Sequence, residues 1–212
     1  MRAVVHLRLL AAAGLVSGLL PAQEPAHQTP GAKEWEFSAS LTGYAVPHTQ
    51  FFVNPTITAD HSWLHLEARY NYENLKTGSV WTGYNFSFGD KLKLDLTPMI
   101  GGVVGRTAGV APGYEGTLTF RKLELSTQGE YVIDATDRSA SFFYDWSELS
   151  YSPVEGLRAG MVVQRTKVYG TSFEVQRGFL VGLSHKRVDF TAYVFNIGWT
   201  EPTCVFSLGV HF

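Results

Sequence analysis

From Glu34 onward, hydrophobic and polar residues alternate with period two along almost every segment. Trp35, Phe37, Ala39 and Leu41 interleave with Glu36, Ser38, Ser40 and Thr42. Leu64, Leu66, Ala68 and Tyr70 interleave with His65, Glu67, Arg69 and Asn71. Leu92, Leu94, Leu96, Pro98 and Ile100 interleave with Lys93, Asp95, Thr97 and Met99. A strand sends successive side chains to opposite faces, so each segment has one apolar and one polar face. The pattern returns at 53–59, 80–88, 114–121, 123–133, 157–164, 178–184 and 206–212. Two stretches lack a clean phase. In 141–151, Phe142, Tyr144 and Trp146 share one parity, whereas Leu149 and Tyr151 share the other; a bulge near Ser147 would reconcile them. In 187–197 both parities are partly apolar, and no face is assigned.

Short turn signals fall at Asp60-His61, Gly89-Asp90, Arg121-Lys122, Ser152-Pro153 and His185-Lys186-Arg187. They alternate with longer breaks at 45–50, 73–78, 105–113, 134–139, 169–172 and 198–203. The runs between them number about twelve, each of roughly ten residues, joined as an up-and-down meander. No stretch has helical periodicity, and no linker or second domain follows residue 33. The expected fold is all-β.

Composition narrows this. Only 17% of the 212 residues are charged and 14% are aromatic, against about 25% charged in an ordinary soluble domain. The 21 glycines suit many tight turns. Arg2 and Arg8 precede an apolar run from Leu9 to Leu20, and Leu20-Pro21-Ala22 offers a cleavage point. That run is shorter than the roughly 20 residues a spanning helix needs. Residues 1–22 therefore read as a secretory signal peptide, and 23–33 as a flexible lead-in. Of the 17 basic residues, the leader holds Arg2 and Arg8, leaving 15 against 19 acidic ones. This balance gives no support for nucleic acid as a partner. The single Cys204 excludes an intrachain disulfide, and its parity makes it a small apolar residue on the outer face.

Alternation alone fits a soluble β-protein as well as a membrane barrel, with the phase inverted. Runs such as 91–104 and 155–169 are long enough to span a bilayer as tilted strands. Tyr70, Tyr72, Tyr114, Tyr131, Tyr169 and Trp199 sit near the longer loops, and Phe88, Phe120, Tyr151 and Phe212 near the short turns. Two aromatic belts are what two membrane interfaces select. Lipid tolerates no open sheet edge, so residues 34–212 are expected to form one closed antiparallel up-and-down transmembrane barrel of about 12 strands.

The last strand, Cys204 to Phe212, places Phe206, Leu208, Val210 and Phe212 on one face and stops on an aromatic residue. It resembles the terminal strand of Gram-negative outer-membrane β-barrel proteins. That resemblance implies an outer-membrane location, a wall surrounded by outer-membrane lipid, and Phe206, Leu208, Val210 and Phe212 as the signal read by the barrel-assembly machinery. It marks the membrane class and not a substrate. The expected role is a narrow, porin-like pore for passive passage of small solutes or ions.

With the apolar face on lipid, the polar face lines the lumen. The candidate lining residues are Glu36, His65, Glu67, Arg69, Lys93, Asp95, Glu115, Glu124, Glu130 and Arg158, together with Gln164, Glu174 and Gln176. Two readings stay open. One is a polar conduit. The other is a plugged interior in which Glu67, Arg69, Lys93 and Asp95 pair across strands, as small barrels often fill their bore with side chains. Trp63 and Trp81 on the polar parity would narrow the bore, while Gly83, Gly101, Gly160, Gly178 and Gly182 would widen it. An outer-membrane hydrolase is the rival class. It needs a nucleophile, a base and an orienting group within hydrogen-bond reach. His65 has Trp63 and Glu67 as its same-face neighbours, and Asp134 and Asp137 read as turn residues. No catalytic residue, cofactor or metal site is expected.

Overall fold

The computed structural model describes residues 34–168, 170–172, 174–198 and 201–212. The expected signal peptide and lead-in lie outside the described residues, as do the belt candidates Tyr169 and Trp199. Thirteen strands follow one another: β1 (Glu36–Ala45), β2 (Phe52–His61), β3 (Leu64–Tyr70), β4 (Thr77–Tyr84), β5 (Phe86–Phe88), β6 (Leu92–Gly105), β7 (Gly109–Phe120), β8 (Leu123–Asp134), β9 (Phe142–Val154), β10 (Leu157–Val168), β11 (Glu174–His185), β12 (Val188–Phe195) and β13 (Thr203–His211). A single 3-10 turn, Arg138–Ala140, interrupts the β8–β9 loop.

Each strand pairs antiparallel with the next along the chain except β4 with β5, and β1 pairs with β13 from Ser38↔His211 to Ala45↔Cys204. Strands β4 and β5 both pair with β6, so they are one stave broken at Asn85. The wall therefore closes with twelve staves, which leaves no open edge for hydrocarbon to meet. The chain enters β1 and leaves β13 at the same end as the short turns. The opposite end carries loops of three to seven residues. The first is the turn end of the barrel and the second its loop end. Ser62, Arg121 and Lys186 take positive φ in the turns, supplying the twist that short hairpins need.

The alternation sorts the side chains as expected. Most outward positions are apolar and exposed, among them Ile57, Val80, Ile100, Val104, Phe179 and Val181. Phe88, Phe120, Tyr151 and Phe212 project outward at the turn end, and Trp35, Phe86 and Trp63 extend that belt. Phe206 and Leu208 also face outward on β13. At the loop end Tyr70 and Tyr131 are exposed, but Tyr72 turns into the bore.

Three expectations need correction. First, β9 pairs with β8 without a break from Tyr151 to Phe142, so there is no bulge near Ser147. Its aromatic run, Phe142, Tyr144 and Trp146, continues the inward face of Glu148 and Ser150 and packs in the bore. The register shift falls instead between Leu157 and Ala159. Second, Trp63 lies in a turn and stacks on outward-facing Tyr84 at 5.3 Å, so it does not narrow the lumen. Third, several inward glycines seat side chains and do not widen the bore. A Cβ on Gly101 would lie 2.4 Å from the Trp81 ring, and one on Gly182 would lie 2.6 Å from Arg158 Nε. In 187–197, which had no assigned face, Thr191, Tyr193 and Phe195 are buried inward, whereas Phe190 is exposed outward.

The seat under Trp81 gives a direct test. Gly101→Val should displace the indole and lower stability by about 1–3 kcal/mol, the usual cost of overpacking. Gly102→Val, on the opposite face with nothing within 4 Å of the added carbon, is the matched control. Urea unfolding of both variants in detergent micelles would show it. Equal midpoints would mean that the ring does not depend on the glycine.

Candidate functional site

Inward residues divide the bore into two zones. Towards the loop end, two apolar clusters fill it. Trp81, Met99, Val103, Ala111 and Val132 form one along β4 to β8, with Phe142 packed against it. Trp146, Val162, Leu180, Tyr193, Phe195 and Val205 form the other along β9 to β13, with Tyr44 and Tyr144 against it. Several of these are entirely closed to solvent, including Ala111, Val132 and Phe195. Towards the turn end lies a polar cavity of about 670 Å³. Hydroxyls line much of it, and some pair across strands: Ser38 with Thr58 at 2.7 Å, and Thr42 with Ser207 at 3.2 Å. Such rows follow from short polar residues at every second position of β1, β2 and β13.

Between the zones, contacts cross the bore. Arg69 on β3 donates from Nε and Nη2 to both Glu67 oxygens, at 2.7 and 2.8 Å. Its Nη1 donates to Glu130 Oε2 on β8 at 3.1 Å, with β4, β6 and β7 intervening along the wall. Glu115 lies 3.6 Å from the same guanidinium. The guanidinium carbon also stands 4.4 Å from the Tyr72 ring and 4.7 Å from the Trp81 ring. Tyr72, from the β3–β4 loop, meets Tyr144 of β9 edge-on at 5.6 Å. Arg69 is thus buried, triply approached by carboxylates and sandwiched by aromatic faces.

A second network sits on the far wall. Glu148 accepts from the Trp146 indole, the Tyr193 hydroxyl and Arg158, each at 2.8 Å. Arg158 also donates to Thr191 at 2.9 Å. A third links the Trp81 indole to Ser79 at 3.0 Å, and the Ser79 hydroxyl in turn to Glu73.

Of the thirteen expected lining residues the structure brings five together, His65, Glu67, Arg69, Glu115 and Glu130, while Gln164, Gln176 and Glu174 lie on the inward parity of β10 and β11. Arg158 and Glu124 line the polar cavity elsewhere. Lys93 and Asp95 pair with each other at 2.8 Å near the turn end, and Glu36 is exposed there. The expected pairing across neighbouring strands is replaced by pairing along a strand: Glu67 with Arg69, and Lys93 with Asp95. Residues two apart share a face, so this is the shorter reach. The contact that does leave the strand, Arg69 to Glu130, crosses the lumen. Trp81 packs in the bore as its parity predicts, whereas Asp60, Glu73, Glu148, Asp189 and the other aromatic side chains of the constriction carry no such expectation. Parity could have found Tyr44, Glu148 and Asp189. Tyr72 lies in a loop, where parity carries no information.

His65 Nδ1 is 2.9 Å from Asp60, and Nε2 is 3.5 Å from Glu67. Both ring nitrogens thus face carboxylates, and no Ser, Thr or Cys is within hydrogen-bond distance of the ring in the contacts it makes. Asp134 accepts from the backbone N–H groups of Thr136 and Asp137, and Asp137 from that of Ser139, which makes both turn residues. The Ser139 hydroxyl and N–H hold the Asp137 carboxyl below the usual range. Among the described residues no group of His, Cys, Asp and Glu is placed to hold a metal ion.

No protein-family model matches the sequence, and no curated protein matches it. Solved structures do. The KdgM porin superposes with a TM-score of 0.55 at 10% identity, over 82% of this chain and 98% of that one. The KdgM porin in complex with disordered oligogalacturonate gives 0.57 at 10% identity, with the same coverage. A chain solved in work on the in-meso crystallization of membrane proteins gives 0.56 at 12% identity, over 84% of this chain and 83% of that one. At these identities the likeness is one of fold: the closed antiparallel β-barrel is shared with these structures.

Proposed function

We propose that this chain is a narrow outer-membrane pore of porin type, passing small cationic or neutral polar solutes. The cavity of about 670 Å³, polar and opening towards the turn end within an apolar-walled barrel, carries the reading. An apolar exterior needs lipid; a polar interior of that volume is costly to build unless water and solutes use it. The terminal strand and the porin-like fold support the outer membrane as its location, with the loops outside.

Charge sets the solute class. The cavity is lined by Glu67, Glu115, Glu124, Glu148 and Asp189 against Arg158, with Arg69 buried behind Glu67 and Glu115, so acids outnumber bases. Rings of carboxylates favour cations in a pore. Oligogalacturonate, seen with the KdgM porin, is a polyanion and would be repelled by this lining. Purified protein in a planar lipid bilayer should therefore give single-channel steps. In a salt gradient, its reversal potential should shift towards that of the cation. A barrel that is folded by heat-modifiable migration yet electrically silent would overturn the pore. It would favour a closed structural barrel, for which the Arg69–Glu130 and Tyr72–Tyr144 contacts across the bore speak.

A further inference from the structure

The outer wall is almost free of charge, and the exceptions are confined to one place. Among the described residues, the only Asp, Glu, Lys or Arg side chains at outward-facing strand positions are Asp145 on β9, Arg165 and Lys167 on β10, and Arg177 on β11. These strands are consecutive staves. Arg165 pairs in register with Asp145 and Val175, and Arg177 with Val163, so the charged positions are near neighbours on one face. Arg165 and Arg177 each lie three residues from the loop end of their strands, and Lys167 lies one. At about 3.3 Å per residue, that places them within about 10 Å of the loop-end rim along the strand. This is the depth at which a long basic side chain reaches the headgroup layer.

Asp145 is already engaged. It is buried on the outer wall, accepting from Tyr114 at 3.1 Å, Thr127 at 3.2 Å and Ser147 at 3.3 Å. The Tyr114 ring reaches it across Gly129, where a Cβ would sit 2.7 Å from the ring. Arg165 stands 3.8 Å away, with more than half its side chain exposed. The outward set therefore holds three cations and one anion. A second copy of the chain would not balance it. A two-fold contact would set cation against cation, and no other outward-facing strand position among the described residues offers an acid.

We propose that this patch binds an anionic, phosphate-bearing lipid of the leaflet at the loop end. Arg165 and Arg177 would hold the phosphate oxygens by charge-assisted hydrogen bonds, and Lys167 would add charge at the rim. The low-relief wall at Gly116 and Gly129, beside the Tyr114 ring, would accommodate the acyl chain.

The full folded chain in detergent micelles can be titrated with phosphatidylglycerol or with phosphatidylcholine of the same acyl chains, and retained lipid counted by native mass spectrometry. The wild type should retain phosphatidylglycerol in preference. Arg165→Gln/Lys167→Gln/Arg177→Gln should lower that preference about tenfold or more, since each basic side chain near an anionic headgroup contributes separately. Arg165→Lys/Arg177→Lys should keep most of it. Inorganic phosphate at millimolar concentration should not displace the lipid. Equal retention of the two lipids by the wild type would overturn the proposal, whatever the fold of the variants. An unchanged preference in the triple glutamine variant, shown folded by heat-modifiable migration, would do the same. Full displacement by inorganic phosphate would assign the patch to a free anion. A wild type that sizes as an oligomer and dissociates in the triple variant would assign it to a protein partner.

Discussion

Arg69→Ala is expected to destabilise the barrel by about 3–5 kcal/mol, the usual cost of removing one partner from a buried ion pair. Glu67 and Glu130 are both buried, and the guanidinium is their shared counter-charge. Glu130 Oε1 already lacks a hydrogen-bond partner. Without Arg69, Glu130 is left beside Glu115 on the neighbouring strand with no guanidinium between them, and Glu67 keeps only the His65 ring, 3.5 Å away. The Tyr72 and Trp81 rings lose the flat group they enclose. Glu130→Gln should cost less, because Arg69 keeps both oxygens of Glu67. Urea unfolding in micelles, followed by the loss of heat-modifiable migration, measures both. An Arg69→Ala barrel as stable as the wild type would show that the carboxylates are neutral or hydrated and do not depend on the guanidinium.

Tyr144→Ala is expected to give the largest functional change, a several-fold rise in single-channel conductance. Tyr144 is the common element of the constriction. It packs against the β9–β13 cluster and meets Tyr72 from the opposite wall. Truncating it removes the contact that spans the bore, and leaves Arg69–Glu130 as a second bridge. Tyr144→Phe keeps the ring and should keep the conductance near that of the wild type. The same planar-bilayer recordings decide it. Unchanged conductance in the alanine variant, with the barrel folded, would place the solute path elsewhere. The two variants separate roles that share one site: Arg69 acts mainly on stability, and Tyr144 mainly on passage.

Much of the wall was legible in the sequence. A strand has a period of two, and a transmembrane barrel meets opposite solvents on its two faces. Leu64 to Tyr70 and Leu92 to Ile100 therefore announce their orientation residue by residue. The terminal Phe206, Leu208, Val210 and Phe212 do the same for β13. The reading failed where the bore itself is apolar. Phe142, Tyr144 and Trp146 look lipid-facing by composition, yet they point inward because the loop-end half of the lumen is packed with side chains. That packing reverses the usual inference from hydrophobicity to lipid, and the invented bulge at Ser147 was its consequence.

The candidate site was legible only as a set of polar positions. Parity places Glu67, Arg69, Glu115 and Glu130 on the inner face. It does not say that Arg69 reaches Glu130 past three intervening staves and leaves Lys93 and Asp95 to each other at the rim. Those meetings depend on how far each strand is staggered along the wall when the sheet closes, a property of all twelve staves together. Gly101 shows the same limit. As a sequence feature it reads as empty space, and in the folded barrel it is the seat of Trp81. The alternating chain thus determined a closed wall and which side chains meet lipid or lumen, because facing is a local property of the strand. Closure and stagger decided which lumen residues touch, where the bore is bridged and where polar volume remains, because those contacts join residues far apart in the chain.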